Sequence, residues 1–212
     1  LSAGDAADQG ILIAHMIHEL EHGPMSALEA RNRRMDGGYI PIALYLDAKS
    51  VFAAVSATFV KQPAEKSLLC HVQYLRELLD KRVLKYLFWI DTRDMGADGL
   101  TKGAVCRALL HMYMNGYMPL LHEHSQWSSK ISLVSGSRQT EADHNQTHLR
   151  VVSDAAYKKE VEYGYSLRGA VYGRGGGRQT EAFVGQKAVI HILDWTCKSQ
   201  RQVTRSTFSA EL

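Results

Sequence analysis

Three separated carboxylates stand where apolar runs end. Asp47 closes Ile40-Pro41-Ile42-Ala43-Leu44-Tyr45-Leu46, Asp91 follows the run from Val83 to Ile90, and Asp154 follows Leu149-Arg150-Val151-Val152-Ser153. A fourth acid, Asp98, comes shortly after Asp91. Acids at strand ends in an α/β sheet point into one crevice, where such folds place their sites. Carboxylates crowded there repel one another unless a cation joins them. Several hard oxygen donors suit Mg²⁺ or Mn²⁺, and a pair of such ions stabilises the attacking and leaving oxygens of a phosphodiester. Strand-end acids are also commonly solvated loop residues or helix caps, so their positions alone leave both readings open.

Other motifs compete with this one. His18-Glu19-Leu20-Glu21-His22 matches the H-E-x-x-H zinc-protease pattern, which needs two histidines one helical turn apart and a glutamate base. Gly23-Pro24 ends the helix on the second histidine, Glu21 takes an inner position that is normally apolar, and no third ligand follows. An exposed polar helix end fits better. Gly173-Arg174-Gly175-Gly176-Gly177 lacks the Lys-Ser/Thr ending and following helix of a phosphate loop, and reads as a hairpin turn. Trp89 and Trp195 read as core or strand residues rather than base-stacking platforms.

The elements that must position the acids follow from hydrophobic period. Residues 5–20 carry Ile11, Leu12, Met16 and Leu20 at helical spacing. A short helix is expected over 48–57, and a long one over 64–82, where Leu68, Leu69, Val72, Leu75, Leu78 and Leu79 form a stripe. Residues 97–114 read as one more helix. Strands are expected over 40–47, 83–90, 149–153, 165–172 and 187–197. Residues 29–38 are charged and end in a turn. In residues 121–150, Ser, His, Gln, Asn and Thr dominate and apolar periodicity disappears, so this segment reads as a connector.

Local sequence words sharpen the reading. Asp91-Thr92-Arg93-Asp94-Met95-Gly96-Ala97-Asp98-Gly99-Leu100-Thr101-Lys102 resembles the T-x-x-x-x-A-D-x-L-T-K signature of the ribonuclease H domain of copia-type retrotransposons. Leu46-Asp47-Ala48-Lys49-Ser50 resembles that family's D-N-x-S strand end, and Val152-Ser153-Asp154-Ala155-Ala156-Tyr157 its S-D-A-x-W/Y opening. Ser166 to Val171 and His191 to Gln200 fit its second and third strands, and Arg205-Ser206-Thr207-Phe208-Ser209-Ala210-Glu211 resembles its S-S-T-E-A-E helix start. The departures are Ala48 in place of Asn, Phe208 in place of the first Glu of the helix motif, and the order of the segments. The family order would run Asp154, Glu211, Asp47, Asp98.

The resemblance implies a circularly permuted ribonuclease H-like α/β fold: a mixed five-stranded sheet with helices on both faces. Residues 1–120 would be the C-terminal part of the domain, 121–150 a connector, and 151–212 its N-terminal three-strand part. The helix begun at Ser206 would continue into residues 1–20, bringing Leu1 close to Leu212. The resemblance also implies that Asp154, Glu211, Asp47 and Asp98 hold two Mg²⁺ or Mn²⁺ ions. One ion would activate water and the other stabilise the leaving 3′ oxygen during hydrolysis of the RNA strand of an RNA–DNA hybrid. Partners would be the hybrid and the reverse transcriptase domain of the same polyprotein, with no membrane. Lys49, Arg168, Lys198 and Arg201 are candidate phosphate contacts. An inactive remnant that only binds nucleic acid or plays a structural part is the other reading.

Composition is compatible with either. The 212 residues are 45% hydrophobic and 22% charged, with a net charge of +3, which permits a polyanionic partner without demanding one. Cys70, Cys106 and Cys197 show no paired spacing, so a reducing compartment, cytoplasmic or nuclear, is expected. The start at Leu1, without an initiator methionine, reads as a fragment of a longer chain.

Overall fold

The computed structural model describes residues 2–59, 67–102, 107–127, 147–156, 167–176 and 186–199. Six strands form one mixed sheet in the order β4 (His124–Trp127), β2 (Tyr86–Ile90), β1 (Ile42–Leu46), β5 (Thr147–Ala156), β6 (Leu167–Gly176) and β8 (His191–Ser199). Strands β5, β1 and β2 run parallel; β4, β6 and β8 are antiparallel to their neighbours. The pairing of β1 with β5 joins segments about a hundred residues apart in the sequence. Leu46 lies opposite Ser153 in that pair.

Both faces of the sheet are covered. Ile42, Leu44, Leu46, Leu149, Val151 and Tyr172 face α1 (Ser2–His22), α3 (Lys49–Ser56) and α4 (Ser67–Asp80). The alternate residues Ala43, Tyr45, Phe88, Val152 and Val171 face the other way, as the two-residue strand period requires. There they meet Met95 and Ala97 beside α5 (Asp98–Thr101), Tyr113 of α6 (Arg107–Met114), and a small ribbon of β3 (Tyr117–Leu120) with β7 (Gln186–Val189). β1 is buried along its whole length, so it reads as a continuous apolar run. α2 (Ala27–Met35) is a helix with no buried residue, capped by the Ser26 hydroxyl, which accepts from the Glu29 N–H.

Several expectations are corrected. The sheet has six strands, because β4 adds an edge to the expected five. β4 lies inside the stretch read as a connector, and β5 begins at Thr147, also inside it. An edge strand such as His124-Ser125-Gln126-Trp127 is held by backbone pairing to β2 and needs no apolar alternation. The helix expected over 97–114 is two helices, α5 and α6. The strand expected over 187–197 is split at Ile190. That residue is fully buried, and its N–H donates to the Gly116 carbonyl.

The glycine turn is also corrected. Gly173, Gly175 and Gly176 are part of β6 and pair with Arg150, His148 and Thr147. A Cβ on Gly173 would stand 2.3 Å from the Ile190 side chain, and one on Gly175 3.0 Å from Arg150 Nε. Glycine is needed here for close approach rather than for a turn. Gly177 and residues 128–146 and 200–212 lie outside the described residues, and with them Glu211, Arg201, the helix expected from Ser206 and the meeting of Leu1 with Leu212. Among the described residues, no helix is long and apolar enough to cross a membrane.

Candidate metal centre

Asp47 is the residue after β1, and Asp154 lies in β5. Because Leu46 is opposite Ser153, the two acids occupy matching positions on adjacent parallel strands. Both share the parity of Ala43, Tyr45 and Val152, whose side chains lie on the α5 face. The segment after β2 brings the third acid. Asp91 caps a short 3-10 turn, Thr92–Asp94, and the chain then enters α5 with Asp98 as its first residue. One ligand oxygen from each of Asp47, Asp98 and Asp154 lies within 4.8 Å of the others.

Close packing sets α5 at this distance. Gly169 of β6 pairs with Asp154, and a Cβ there would lie 3.0 Å from Leu100 Cβ and Thr101 Cγ2. A Cβ on Gly96 would lie 2.3 Å from the ring of Tyr113, which is fully buried and whose hydroxyl donates to the Asp94 carbonyl. Gly96→Ala should therefore lower stability by about 1–3 kcal/mol through overpacking. Urea denaturation will measure it; an unchanged midpoint would mean that the turn before Asp98 shifts freely.

The site is crowded with negative charge. Asp98 and Asp154 are 3% and 1% exposed, so bulk water screens neither. Burial, then repulsion from Asp154, raises the Asp47 carboxyl from an ordinary 3.8 to about 6, although Lys102 and a hydrogen bond from Thr92 pull it down. Burial and Asp154 raise Asp98 in the same way, against the pull of Lys102. Asp154 accepts from the Thr101 hydroxyl. The Lys102 ammonium donates to Asp98 Oδ1 at 2.6 Å and to Asp154 Oδ1 at 3.5 Å. Burial disfavours that ammonium, but the three carboxylates outweigh it and hold its pKa above the usual lysine value. The Trp89 indole N–H donates to the Asp47 carbonyl at 2.9 Å and so ties the end of β1 to β2. Lys49 lies over the same indole ring, 4.7 Å from its centroid.

Three mutually repelling oxygen donors, two buried and one half-buried, fit a hard divalent cation. Among the described residues they are the group of three His, Cys, Asp or Glu side chains placed to hold one. The other acids near the strand ends have different work. Asp91 is clamped by Arg93, whose Nε and Nη2 donate at 2.8 and 2.9 Å. Asp94, 1% exposed, accepts from the backbone N–H of His122 and lies 2.9 Å from its Nδ1.

The H-E-x-x-H stretch forms no comparable centre. The His18 and His22 rings stack, with centroids 4.3 Å apart, and His22 Nδ1 donates to the His18 carbonyl at 3.1 Å. Glu19 accepts from the Met25 N–H. Of the candidate phosphate contacts, Arg168 is ion-paired with Asp5. Arg168 and Lys198 line a groove of about 410 Å³ with Asp5, Asp8 and Arg34. Trp195 is a strand residue, 53% exposed. Thr101 and Lys102 belong to a sequence word singled out for its aspartate. The unread signal was the four-residue step from Asp98 to Lys102, which places both side chains on one helical face.

The chain matches no protein-family model, no curated protein and no solved structure.

Proposed function

We propose that this chain is a metal-dependent nuclease domain that hydrolyses the RNA strand of RNA–DNA hybrids, with the ribonuclease H-like segments of a copia-type retrotransposon in circularly permuted order. The observation that carries the reading is the convergence of Asp47, Asp98 and Asp154 at the carboxyl ends of parallel strands. Those three acids stand in the family-like words, and Asp91 and Asp94 beside them are engaged elsewhere. Sheet order supports the permuted arrangement. β8, β6 and β5, from the end of the sequence, lie side by side and join β1 and β2, from its beginning. Asp5 and Ala6, near the start of α1, line the same groove as Lys198, near the end of β8, where a chain leaving β8 would have to enter α1.

Divalent ions at this centre would supply an activated water and a counter-charge for the leaving 3′ oxygen. The chain's own residues do the rest. Asp47, Asp98 and Asp154 provide the oxygen ligands, and Glu211 is the fourth that the resemblance implies. Thr101 orients Asp154 through its hydroxyl, and Trp89 fixes the main chain at Asp47. Contacts to 2′-hydroxyls would distinguish RNA from DNA.

The test uses purified protein, saturating Mg²⁺ and three labelled duplexes: RNA–DNA hybrid, DNA and RNA. The expected result is cutting of the RNA strand in the hybrid alone, abolished by chelation. A folded chain that cuts none of them would overturn the hydrolytic reading in favour of an inactive remnant.

A further inference from the structure

Resting on that metal-binding reading, we infer that Lys102 is a resident cation of the centre. Its ammonium fills the place of one of the two divalent ions, so that the native chain takes a single ion.

The geometry is specific. Lys102 caps α5, its own N–H donating to the Asp98 carbonyl at 2.8 Å. Its side chain turns back along the same face, so Nζ lies 2.6 Å from Asp98 Oδ1 and 3.5 Å from Asp154 Oδ1. It therefore bridges these two carboxylates, as a metal ion shared between Asp98 and Asp154 would have to. A divalent ion placed there would meet the ammonium at close range, in a part of the site where Asp98 and Asp154 are almost fully buried. Repulsion of like charges at that range is large when water is excluded. The ammonium and an ion bridging Asp98 and Asp154 thus exclude each other. Lys102 hydrogen-bonds Asp98 and Asp154 and acts on Asp47 only through space, so an ion shared between Asp47 and Asp154 competes with the ammonium less directly.

The lysine also has a reason to stay. It is four residues beyond Asp98 on the same short helix, so the pair forms within one turn and needs no long-range closure. Its side chain is 36% exposed, which leaves a path by which it could swing into solvent, but only by giving up two charge-assisted hydrogen bonds.

The experiment is a Mn²⁺ titration of the full chain, with free ion counted by electron paramagnetic resonance. Wild type, Lys102→Met and Lys102→Arg are compared, and circular dichroism melting checks that each is folded. The expected result is one bound ion in the wild type and in Lys102→Arg. Lys102→Met should bind two, the first at least about tenfold more tightly than wild type does, a gain of about 1.4 kcal/mol. Lys102→Gln, uncharged and polar, replaces Lys102→Met should the latter fail to fold, with the same expectation. Two ions in the wild type, or one ion bound no more tightly in the uncharged variants, would overturn this inference and leave the metal centre standing. No Mn²⁺ bound by any variant would overturn the metal reading itself.

Discussion

Asp154→Asn should reduce cleavage of the hybrid's RNA strand by about a thousandfold or more and leave the metal-free chain folded. The side chain is 1% exposed and central to the triad: repulsion from it raises both Asp47 and Asp98. Loss of its charge removes a ligand on which several kcal/mol of transition-state stabilisation would rest, at about 1.4 kcal/mol per decade of rate. The fold should survive for the opposite reason. Asparagine is nearly isosteric, its carbonyl oxygen can still accept from Thr101, and the two remaining carboxylates lose a repelling neighbour. Burial, the larger cause of both shifts, remains, so the same variant should bring the Asp47 and Asp98 carboxyls only part of the way down, which carbon-13 NMR of the side chains will read. Cleavage that persists would assign the activity to another site or to a contaminant. A variant that unfolds would mean that Asp154 holds the sheet end together through Thr101 and Lys102 more than it strains it.

How much of this centre was legible depended on what kind of contact fixed each part. Asp47 and Asp154 stood out because each ended an apolar run, and the two-residue strand period carries the remainder of the argument. An acid two steps beyond Tyr45, and another two steps beyond Val152, must share their face. That β1 and β5 lie side by side was implied only by the family-like order, since about a hundred residues separate them. Asp98 was legible through its local word but not through its element. The expected single helix over 97–114 gave no reason for the acid to turn towards the strands, whereas α5 is one turn long and packs on β5, β6 and β8.

The failures share a cause as well. β4 was missed because an edge strand is held by main-chain hydrogen bonds, which leave no mark in side-chain pattern. The glycines of β6 suggested a turn because glycine signals both flexibility and close approach, and only the neighbours, Ile190 and Arg150, distinguish the two. Lys102 carried no visible role because a lysine on a short polar helix ordinarily faces water. What gives it one is the depth of the acids beside it.

Those buried acids also make stability depend on pH and metal together. The metal-free chain should lose stability as pH rises from about 4 to about 6.5, and saturating Mg²⁺ should offset the loss. The Asp47 carboxyl goes from an ordinary 3.8 to about 6 on folding, so within that window the folded chain holds a proton that the unfolded chain has released. Stability is then fully present below the unfolded value and declines as pH passes through the folded one. At about 1.4 kcal/mol per pKa unit, Asp47 alone amounts to about 3 kcal/mol, and Asp98, displaced in the same direction, adds to it. His18 works the other way. Burial lowers its pKa, so it favours the folded state as pH rises, and a raw melting curve mixes the two effects. The difference between wild type and Asp47→Asn isolates the carboxyl. The variant should match the wild type near pH 4 and exceed it by about 3 kcal/mol near pH 7.5 without metal. Mg²⁺ binds the deprotonated ligands of the folded chain, so its stabilisation should be larger near pH 7.5 than near pH 5. Should Asp47→Asn and wild type melt alike across this range without metal, the triad is less strained than its burial implies. Should Mg²⁺ raise the melting temperature equally at both pH values, the ion is binding somewhere other than these carboxylates.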